Sequence, residues 1–312
     1  MFFPLLAGGS LFGQPLRGSL SPIGVGVAAG AFIFGIGMQL GGGCASGTLF
    51  SVGGGSSRML ITLFFFIIGS VIGTAHMGWW TAQPAFAATS IVNTMGPWLA
   101  LAASLALFGG IWWFTTVAER ARHGHLIDET KPARGPRWLT GPWPLVAGAA
   151  GLAIVNIATL TIGGRPWGVT SAFALWGAKW FAALGVDVAS WSYWTAPAQA
   201  AALKSSVLMD VTSVMNFGIL LGALLAAILA GRFAPVWKVS GRSAAAAVIG
   251  GLLLGYGARV AYGCNIGAYF SGIASGSLHG WLWLVTAFAG NIVGTRLRPI
   301  FDLNVEKTRT AC

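Results

Sequence analysis

Charged residues are scarce in this 312-residue chain, where Asp, Glu, Lys and Arg together make up 8% and hydrophobic residues make up 55%. Water-soluble domains usually carry about a quarter charged residues, so the composition excludes an ordinary soluble globular protein. Acidic residues are the rarest, with 7 Asp and Glu against 18 Lys and Arg. In a membrane protein such an excess indicates basic cytoplasmic loops, so we expect the lipid bilayer as a partner and no nucleic acid.

Cysteine is also rare, with three residues in the whole chain. Three are too few for a disulfide scaffold, and their spacing is not that of a zinc site, so no metal is expected. The sequence has no Gly-x-x-x-x-Gly-Lys-Ser/Thr motif for ATP phosphates. We therefore expect no cofactor, and the source of energy for any transport is left open.

Glycine is abundant instead, with 47 residues, and helices in lipid tolerate it where close packing or broken backbone is needed. We predict an all-α polytopic membrane protein with a single transmembrane domain over residues 1–312. Segments long enough to cross about 30 Å of hydrocarbon are Ile23–Gly43, Met59–Trp79, Pro97–Ala118, Trp143–Ile162, Ser206–Ala230, Ala244–Gly263 and Gly280–Gly294. Another apolar segment, Val169–Val188, is interrupted by Lys179 and is predicted to be re-entrant or interfacial.

Basic residues concentrate in three patches, which the positive-inside rule places in the cytoplasm. The patches are Arg120, Arg122, Lys131, Arg134 and Arg137 in the loop 119–142; Arg232, Lys238 and Arg242; and Arg296, Arg298, Lys307 and Arg309 at the C-terminus. An even number of crossings must then separate the first two patches. One of the three apolar segments between them cannot cross, and Val169–Val188 is the natural candidate.

An internal repeat appears when the chain is aligned with itself. At an offset of 220, Gly30, Gly35, Gly37, Gly43, Cys44, Gly47, Phe50 and Ser51 meet Gly250, Gly255, Gly257, Gly263, Cys264, Gly267, Phe270 and Ser271. At an offset of 221, Gly55, Ser56, Leu63, Gly69, Gly73 and Thr74 meet Gly276, Ser277, Leu284, Gly290, Gly294 and Thr295. We predict repeats over about 23–118 and 243–298, joined by the basic loop and by central helices within 143–230.

The charges predict that the two copies have inverted topology. The helix Met59–Trp79 starts beside Arg58 and should run outward, whereas its counterpart Gly280–Gly294 ends at Arg296 and should run inward. Inverted repeats are typical of transporters that bind substrate near the bilayer midplane between the copies.

Each copy carries Gly-Cys-x-x-Gly, with Gly43, Cys44 and Gly47 in the first and Gly263, Cys264, Asn265 and Gly267 in the second. We expect these glycines to break the helix and leave backbone N–H groups free, an arrangement that suits an anion at a helix N-terminus. The thiols could then contact a soft sulfur atom. A single membrane cysteine would more often be a small packing residue, but recurrence at symmetric positions favours function.

Two further residues complete the predicted substrate path, to which no catalytic residue is assigned. Arg259 lies five residues before Cys264, at the position that Gln39 holds before Cys44; an ionisable group at membrane depth indicates function, unless it snorkels or pairs with Asp210. Asp210 itself is either functional or the cap of the following helix. His279, at the start of a helix, either serves function or bonds backbone.

Three motifs resemble the YeeE/YedE sulfur-transport family over most of the chain. They are Gly37-x-x-Leu40-x-x-Gly43-Cys44-x-Ser46-Gly47-Thr48-Leu49, Arg165-Pro166-Trp167-Gly168-Val169-Thr170, and Gly263-Cys264-Asn265-Ile266-Gly267-x-x-Phe270-Ser271-Gly272-Ile273-Ala274-x-Gly276-Ser277-Leu278-His279-Gly280-Trp281. The resemblance implies a bacterial inner-membrane transporter with pseudo-symmetric halves that takes up thiosulfate or a related sulfur compound. The anion would pass along cysteines by transient S–H hydrogen bonds, beside a sulfur-carrier protein of the TusA type in some members.

The resemblance carries over to Cys44 and Cys264, which match two cysteines of the family relay. Family carriers of thiosulfate have a third on a helix that would precede Met1, and Cys312 does not match it. Either the chain is truncated at its start or this branch works without that thiol and handles a different compound, such as one of selenium. Two other classes stay open, a membrane sulfurtransferase or thiol redox protein and a structural subunit.

Overall fold

The computed structural model describes residues 1–126, 143–233, 235 and 238–303. These residues fall into two compact units. The first comprises Met1–Gly18, the described part of Ser90–Pro166, and Ala274–Gly276; the second comprises Ser19–Thr89, the described part of Trp167–Ile273, and the described residues from Ser277 onward. The predicted limits of the repeats, about 23–118 and 243–298, stay predictions.

The first unit is built around one long helix. Its elements are α1 (Phe2–Gly8), the hairpin of β1 (Ser10–Leu11) and β2 (Gln14–Pro15), α6 (Ile91–Met95), α7 (Pro97–His123) and α8 (Leu145–Gly163). Pro97 occupies the first turn of α7, where its missing N–H is not needed, and Gly124 ends the helix in the left-handed conformation with φ 74°. Basic residues in the last turn of α7 complement the helix dipole. A small core of Phe3, Val92 and Ala100 joins α1, α6 and α7.

The second unit contains both cysteine motifs. Its elements are β3 (Ile23–Gly24) paired antiparallel with β4 (Ala85–Phe86), α2 (Val25–Gly41), α3 (Ala45–Gly53), α4 (Ser57–Ala75), α5 (Met77–Thr81), α9 (Thr170–Ala183), α10 (Pro197–Lys204), α11 (Val211–Leu229), α12 (Gly241–Val260), a π-helical segment Asn265–Phe270, α13 (Ser271–Ala274) and α14 (His279–Leu297). Short 3₁₀ turns occur at Val188–Ser190, Val207–Met209 and Arg298–Phe301.

Six helical stretches of the described chain are long and apolar enough to cross a membrane, which confirms the all-α polytopic class. They are Val25–Gly53, Ser57–Ala75, Pro97–His123, Leu145–Gly163, Val211–Leu229 and Gly241–Ala274. The remaining predicted crossing, Gly280–Gly294, lies within α14, whose 19 residues span about 28 Å. It is not among the six, since it carries polar residues such as His279, Asn291 and Arg296.

Two predicted segments are shorter in the structure. The helix predicted to end at Trp79 stops at His76, which closes α4 before the short α5 begins. The interrupted segment Val169–Val188 forms only the 14-residue α9, about 21 Å long, because the helix ends at Leu184 and Gly185 turns with φ 89°. That helix is too short to cross the hydrocarbon region, and its re-entrant course remains a prediction.

Helices α2, α4, α12 and α14 meet through glycine, with backbone against backbone. A Cβ on Gly37 would lie 2.7 Å from Leu254 N, and one on Gly257 would lie 2.6 Å from Phe34 N. Real Cβ atoms essentially never approach other atoms so closely. Small residues at such crossings are how membrane helices gain close packing without a hydrophobic driving force between them.

The contacts between the copies are reciprocal. Gly37 of the first copy meets Gly250 of the second, and Gly30 of the first copy meets Gly257 of the second. At the offset of 220, Gly37 is equivalent to Gly257 and Gly30 to Gly250, so each contact is the counterpart of the other. The same exchange relates a second set of contacts, Gly35 with Gly290, Gly255 with Gly69, Gly73 with Arg259 and Gly294 with Gln39, at offsets of 220 and 221. This exchange is the signature of a two-fold relation.

The register also fixes the relative direction of the equivalent helices. Position 30 of α2 meets position 257 of α12, and position 37 meets position 250, so the partner number falls as the residue number rises. Helices α2 and α12 therefore run antiparallel. Because equivalent helices point in opposite directions, the core helices of the two copies have the inverted relation predicted from the charges.

Candidate functional site

The first cysteine motif lies in a helix break. Gly42 ends α2 in the left-handed conformation with φ 93°, and Cys44 is the extended residue from which α3 begins. The Cys44 carbonyl accepts hydrogen bonds from Thr48 N and Thr48 Oγ1, both at 2.8 Å, so the backbone of Cys44 is held at the first turn of α3. Its Sγ lies 3.4 Å from Ser46 Oγ and is partly exposed. The predicted break at this motif is confirmed.

The second motif repeats the break with a tighter backbone. Helix α12 ends at Val260, Tyr262 adopts φ 59° and Gly263 adopts φ 156°. Only a few per cent of non-glycine residues have positive φ, so Tyr262 is held in a strained conformation at the position where the first copy has Gly42. A Cβ on Gly263 would lie 2.7 Å from Ala268 N, and this glycine is therefore required.

Cys264 is the residue from which the π-helical segment begins. The backbone N–H groups of Ile266 and Gly267 face its thiol, and Ala268 N donates to the Cys264 carbonyl at 2.9 Å. This arrangement, a thiol at a helix start with backbone amides directed towards it, is what the glycine pattern predicts. Cys264 has no exposed surface, unlike Cys44. An anion can contact its sulfur only after neighbouring groups move.

The structure brings the two cysteines together. Cys264 belongs to the main buried cluster of the second unit, and Cys44 packs against the same cluster. The two thiols are also close enough to interact electrostatically. The helix breaks of the two copies thus border the same buried cluster.

The other motif residues differ in how much space surrounds them and in their hydrogen bonds. A Cβ on Gly47 would lie 3.6 Å from Cys44 Sγ, so a larger side chain there would stand over the thiol. A Cβ on Gly43 would make only ordinary contacts, the nearest at 3.7 Å, and one on Gly267 would lie 3.9 Å from Gly168 Cα. Asn265 has a buried Oδ1 without a hydrogen-bond partner among the described residues. That oxygen is an acceptor left unused beside Cys264.

Residues 167–169 pack on the second motif, a neighbour that reasoning from the cysteines did not predict. Trp167 O accepts from Ser271 Oγ at 2.8 Å, and Val169 is buried in the same cluster as Cys264. Asn216 in α11 holds this segment by donating from Nδ2 to Val169 O at 3.0 Å. These residues lie far from the cysteines in sequence, so the spacing of the cysteines could not predict the contact. The family motif around Trp167 was the signal that pointed to this segment.

Arg259 is buried, with 7% of its surface exposed, in the last turn of α12. Its Nη1 donates to Tyr193 Oη at 2.9 Å, and its guanidinium carbon lies 4.8 Å from the centroid of the Tyr193 ring. The described residues supply no hydrogen-bond partner for Nε. Neither snorkelling nor pairing with Asp210 describes this residue, since it is buried and its partner is an aromatic ring.

His279 is buried at the start of α14. Its Nδ1 lies 2.6 Å from Ser277 Oγ, while its Nε2 has no hydrogen-bond partner among the described residues. A Cβ on Gly272 would lie 2.8 Å from the imidazole Cε1, so the ring packs directly on α13. His279 therefore bonds a side chain rather than the backbone, and its ring lies against α13, which follows the Cys264 motif.

Asp210 has the role of a helix cap. Its Oδ2 accepts from Ser213 N at 2.8 Å and from Ser213 Oγ at 2.7 Å at the start of α11. Lys179 likewise binds carbonyls, those of Leu203 and Ser205 at 2.7 and 2.6 Å, near the C-terminal end of α10. Both side chains therefore bind backbone groups at the ends of helices.

We predict that Asp210→Asn will keep both stability and transport, whereas Asp210→Ala will lower the free energy of unfolding by about 1 kcal/mol. Asn caps helices as well as Asp does, and Ala does not. Thermal unfolding in detergent and solute uptake in proteoliposomes check the two effects. Loss of uptake in a stable Asp210→Asn protein would instead assign the carboxylate to ion coupling.

Residues 1–293 match the family model described as sulphur transport. The chain belongs to the sulphur transport family. It is 31% identical over 176 residues to the probable transporter YedE of Escherichia coli, covering 56% of this chain and 43% of that protein. A YedE from Salmonella typhimurium is 30% identical over the same shares.

A third relative covers more of the chain. The thiosulfate transporter TsuA of Spirochaeta thermophila is 29% identical over 286 residues, which are 86% of this chain and 76% of that protein. The match to the YedE proteins spans less than half of their length.

Proposed function

We propose that this protein carries a small sulfur-containing anion, thiosulfate foremost, across the bacterial inner membrane. The observation that carries the proposal is the pair of helix breaks, which are related by the two-fold exchange and meet with Cys44 and Cys264 in one cluster. The family and the relative named a thiosulfate transporter support a sulfur anion as the solute.

The chemistry needed is transient binding rather than reaction. A neutral thiol donates a weak S–H hydrogen bond, and the terminal sulfur of thiosulfate is a soft acceptor. The amides of Ile266 and Gly267 lie beside the Cys264 thiol and stabilise negative charge at the helix start. The anion leaves each cysteine unchanged, with no bond formed or broken.

The orientation we propose places the basic loops and the C-terminus in the cytoplasm. Arg58 Nε donates to Ser243 Oγ at 2.9 Å, and Arg242 pairs with Asp302 at 2.8 Å, so α4 and α12 start on the side where α14 ends. The positive-inside rule assigns that side to the cytoplasm. Helix α12 then runs outward, which puts Arg259 in its last turn, and Tyr262 just after the helix, towards the outside. Lys131, Arg134, Arg137, Lys307 and Arg309 of the basic patches, and Cys312, lie outside the described residues.

A solute panel tests the proposed transport. Proteoliposomes should accumulate labelled thiosulfate above protein-free liposomes, and unlabelled thiosulfate should compete better than sulfite, sulfide or selenium compounds. Preferred uptake of a selenium compound would mean that the solute proposed here is wrong, but it would still support transport. No uptake of any member of the panel would contradict transport of this class of anion.

The alternative enzyme function is a membrane sulfurtransferase. Here a cysteine attacks the outer sulfur of thiosulfate, the S–S bond breaks, sulfite leaves with the electron pair, and a persulfide remains for a carrier protein of the TusA type. Intact mass after exposure to thiosulfate distinguishes the two functions. A gain of one sulfur atom on Cys44 or Cys264 supports the sulfurtransferase, and an unchanged mass supports transport by hydrogen bonding.

A further inference from the structure

A cavity of about 330 Å³ lies at the end of α12, and Arg259 lines it together with several polar side chains. It is lined by Met77, Thr81, Ser192, Tyr193, Ala196, Gln199, Arg259 and Tyr262. Apart from the guanidinium, the polar lining consists of hydroxyl and amide groups, and no acidic side chain of the described chain is among them. The volume is at the small end of the range for ligand sites, which suits a small solute.

The Arg259 side chain has donors to spare in this cavity. A guanidinium carries five N–H groups and stays charged, and the described residues use one of its nitrogens, Nη1, for Tyr193. The aromatic ring holds the guanidinium in place without neutralising it. Burial of a cation with unused donors is costly unless something else pairs with it, so the cavity is built for a negatively charged occupant.

The residue equivalent to Arg259 in the first copy is hydrogen-bonded to neighbouring side chains. Gln39 corresponds to Arg259, and its Nε2 donates to Asn291 Oδ1 at 2.8 Å while its Oε1 accepts from Arg298 Nη1 at 3.5 Å. Both positions pack on equivalent glycines, Gln39 on Gly294 and Arg259 on Gly73. The two copies therefore differ here in chemistry: Gln39 is bonded to two neighbouring side chains, whereas Arg259 lines a cavity.

The cavity is next to the second cysteine motif along the chain. Tyr262 lines it and lies two residues before Cys264. With the orientation proposed above, the end of α12 that carries this cavity lies towards the outside.

From these contacts we infer that the Arg259 cavity binds the anion before it reaches Cys264. The inference rests on the proposed function and adds to it a separate capture site that recognises charge rather than sulfur. The site takes a small divalent oxyanion, held by the free N–H groups of Arg259 and by the neighbouring hydroxyl and amide groups. Selection for sulfur is then left to the thiols, so sulfate should compete at the cavity although it has no terminal sulfur for Cys264.

Binding of thiosulfate to the purified protein in detergent, measured by isothermal titration calorimetry in buffer free of competing divalent anions, tests the capture site. Arg259→Gln places the first-copy residue in the second copy and should weaken binding about tenfold to a hundredfold, since a hydrogen bond to a charged group is worth about 1.5–3 kcal/mol. Gln199→Trp fills the cavity while keeping the cation and should weaken binding similarly. Sulfate should displace thiosulfate from the unmodified protein.

A double variant, Cys44→Ala with Cys264→Ala, separates this inference from the proposed function. It should fail to transport thiosulfate, while sulfate, which has no terminal sulfur for the thiols, should bind to it with the same affinity as to the unmodified protein. Wild-type affinity in either Arg259→Gln or Gln199→Trp would overturn the capture site, whatever the result for uptake. Loss of sulfate binding in the double cysteine variant would also overturn it, because recognition would then depend on the thiols.

Discussion

Uptake of labelled thiosulfate by proteoliposomes should fall about tenfold to a hundredfold when Cys264 is replaced by alanine. The Cys264 thiol is the donor at the start of the π-helical segment, and alanine leaves the amides of Ile266 and Gly267 without it. Loss of a hydrogen bond to a charged group costs about 1.5–3 kcal/mol, or about tenfold to a hundredfold in rate if it is made in the rate-limiting step. Cys44→Ala should have the same effect, because the two motifs are equivalent.

Replacement of the same cysteine by serine separates the two chemical mechanisms. A serine hydroxyl donates a hydrogen bond but cannot form a persulfide, so Cys264→Ser should keep measurable uptake if the anion is only hydrogen bonded. Cys312→Ala is the matched control, since it removes the cysteine that lies outside the repeated motifs. Full uptake by the protein lacking both Cys44 and Cys264 would refute the role of the thiols.

Gly255→Ala and Gly290→Ala should each destabilise the protein by more than the about 1–3 kcal/mol that overpacking usually costs. A Cβ on Gly255 would overlap Phe66 O, and one on Gly290 would overlap Phe32 O. The obstructing atoms are backbone carbonyl oxygens, which cannot turn aside as a side chain can. Thermal unfolding in detergent and the yield of monodisperse protein measure the effect.

Gly218→Ala is the matched control for these glycines. Gly218 lies within α11, and nothing lies within 4 Å of a Cβ placed there. Alanine is favoured over glycine in helices by about 1 kcal/mol, so this variant should be as stable as the wild type or more so. Equal unfolding temperatures for Gly218→Ala and Gly255→Ala would show that the helix contacts at Gly255 are looser than described.

The repeat and its glycines made much of the core predictable from the sequence. Aligned glycines such as Gly35 and Gly255 predicted equivalent packing, and the charges beside α4 and α14 predicted the inverted directions. The helix breaks at Cys44 and Cys264 followed from glycine inside apolar segments. These features depend on local backbone preference and on a regular pattern, both of which a single sequence records.

The surroundings of Arg259 could not be predicted in the same way. Its partner Tyr193 is 66 residues away and outside both predicted repeats, so neither symmetry nor spacing connects them. Helix periodicity also could not distinguish the α-helical start after Cys44 from the π-helical start after Cys264. Such differences arise from tertiary packing, here by the segment Trp167–Val169 against the second motif.

The glycine contacts between α2 and α12 also limit how a passage can open. Rocking of one half against the other needs an interface whose side chains can slide and repack, and here the backbones of Gly37, Gly250 and Gly257 lie directly against their partners. Each close contact between α2 and α12 has a symmetry-related counterpart at the other end of the helix pair. A tilt of one helix that separated one contact would therefore compress the other. We therefore expect α2 and α12 to move as one body, so that the proposed passage would depend on small displacements in the turns around Tyr262 and Gly42. For the transport proposed above, we therefore expect gating of a narrow constriction rather than exchange between inward-facing and outward-facing halves.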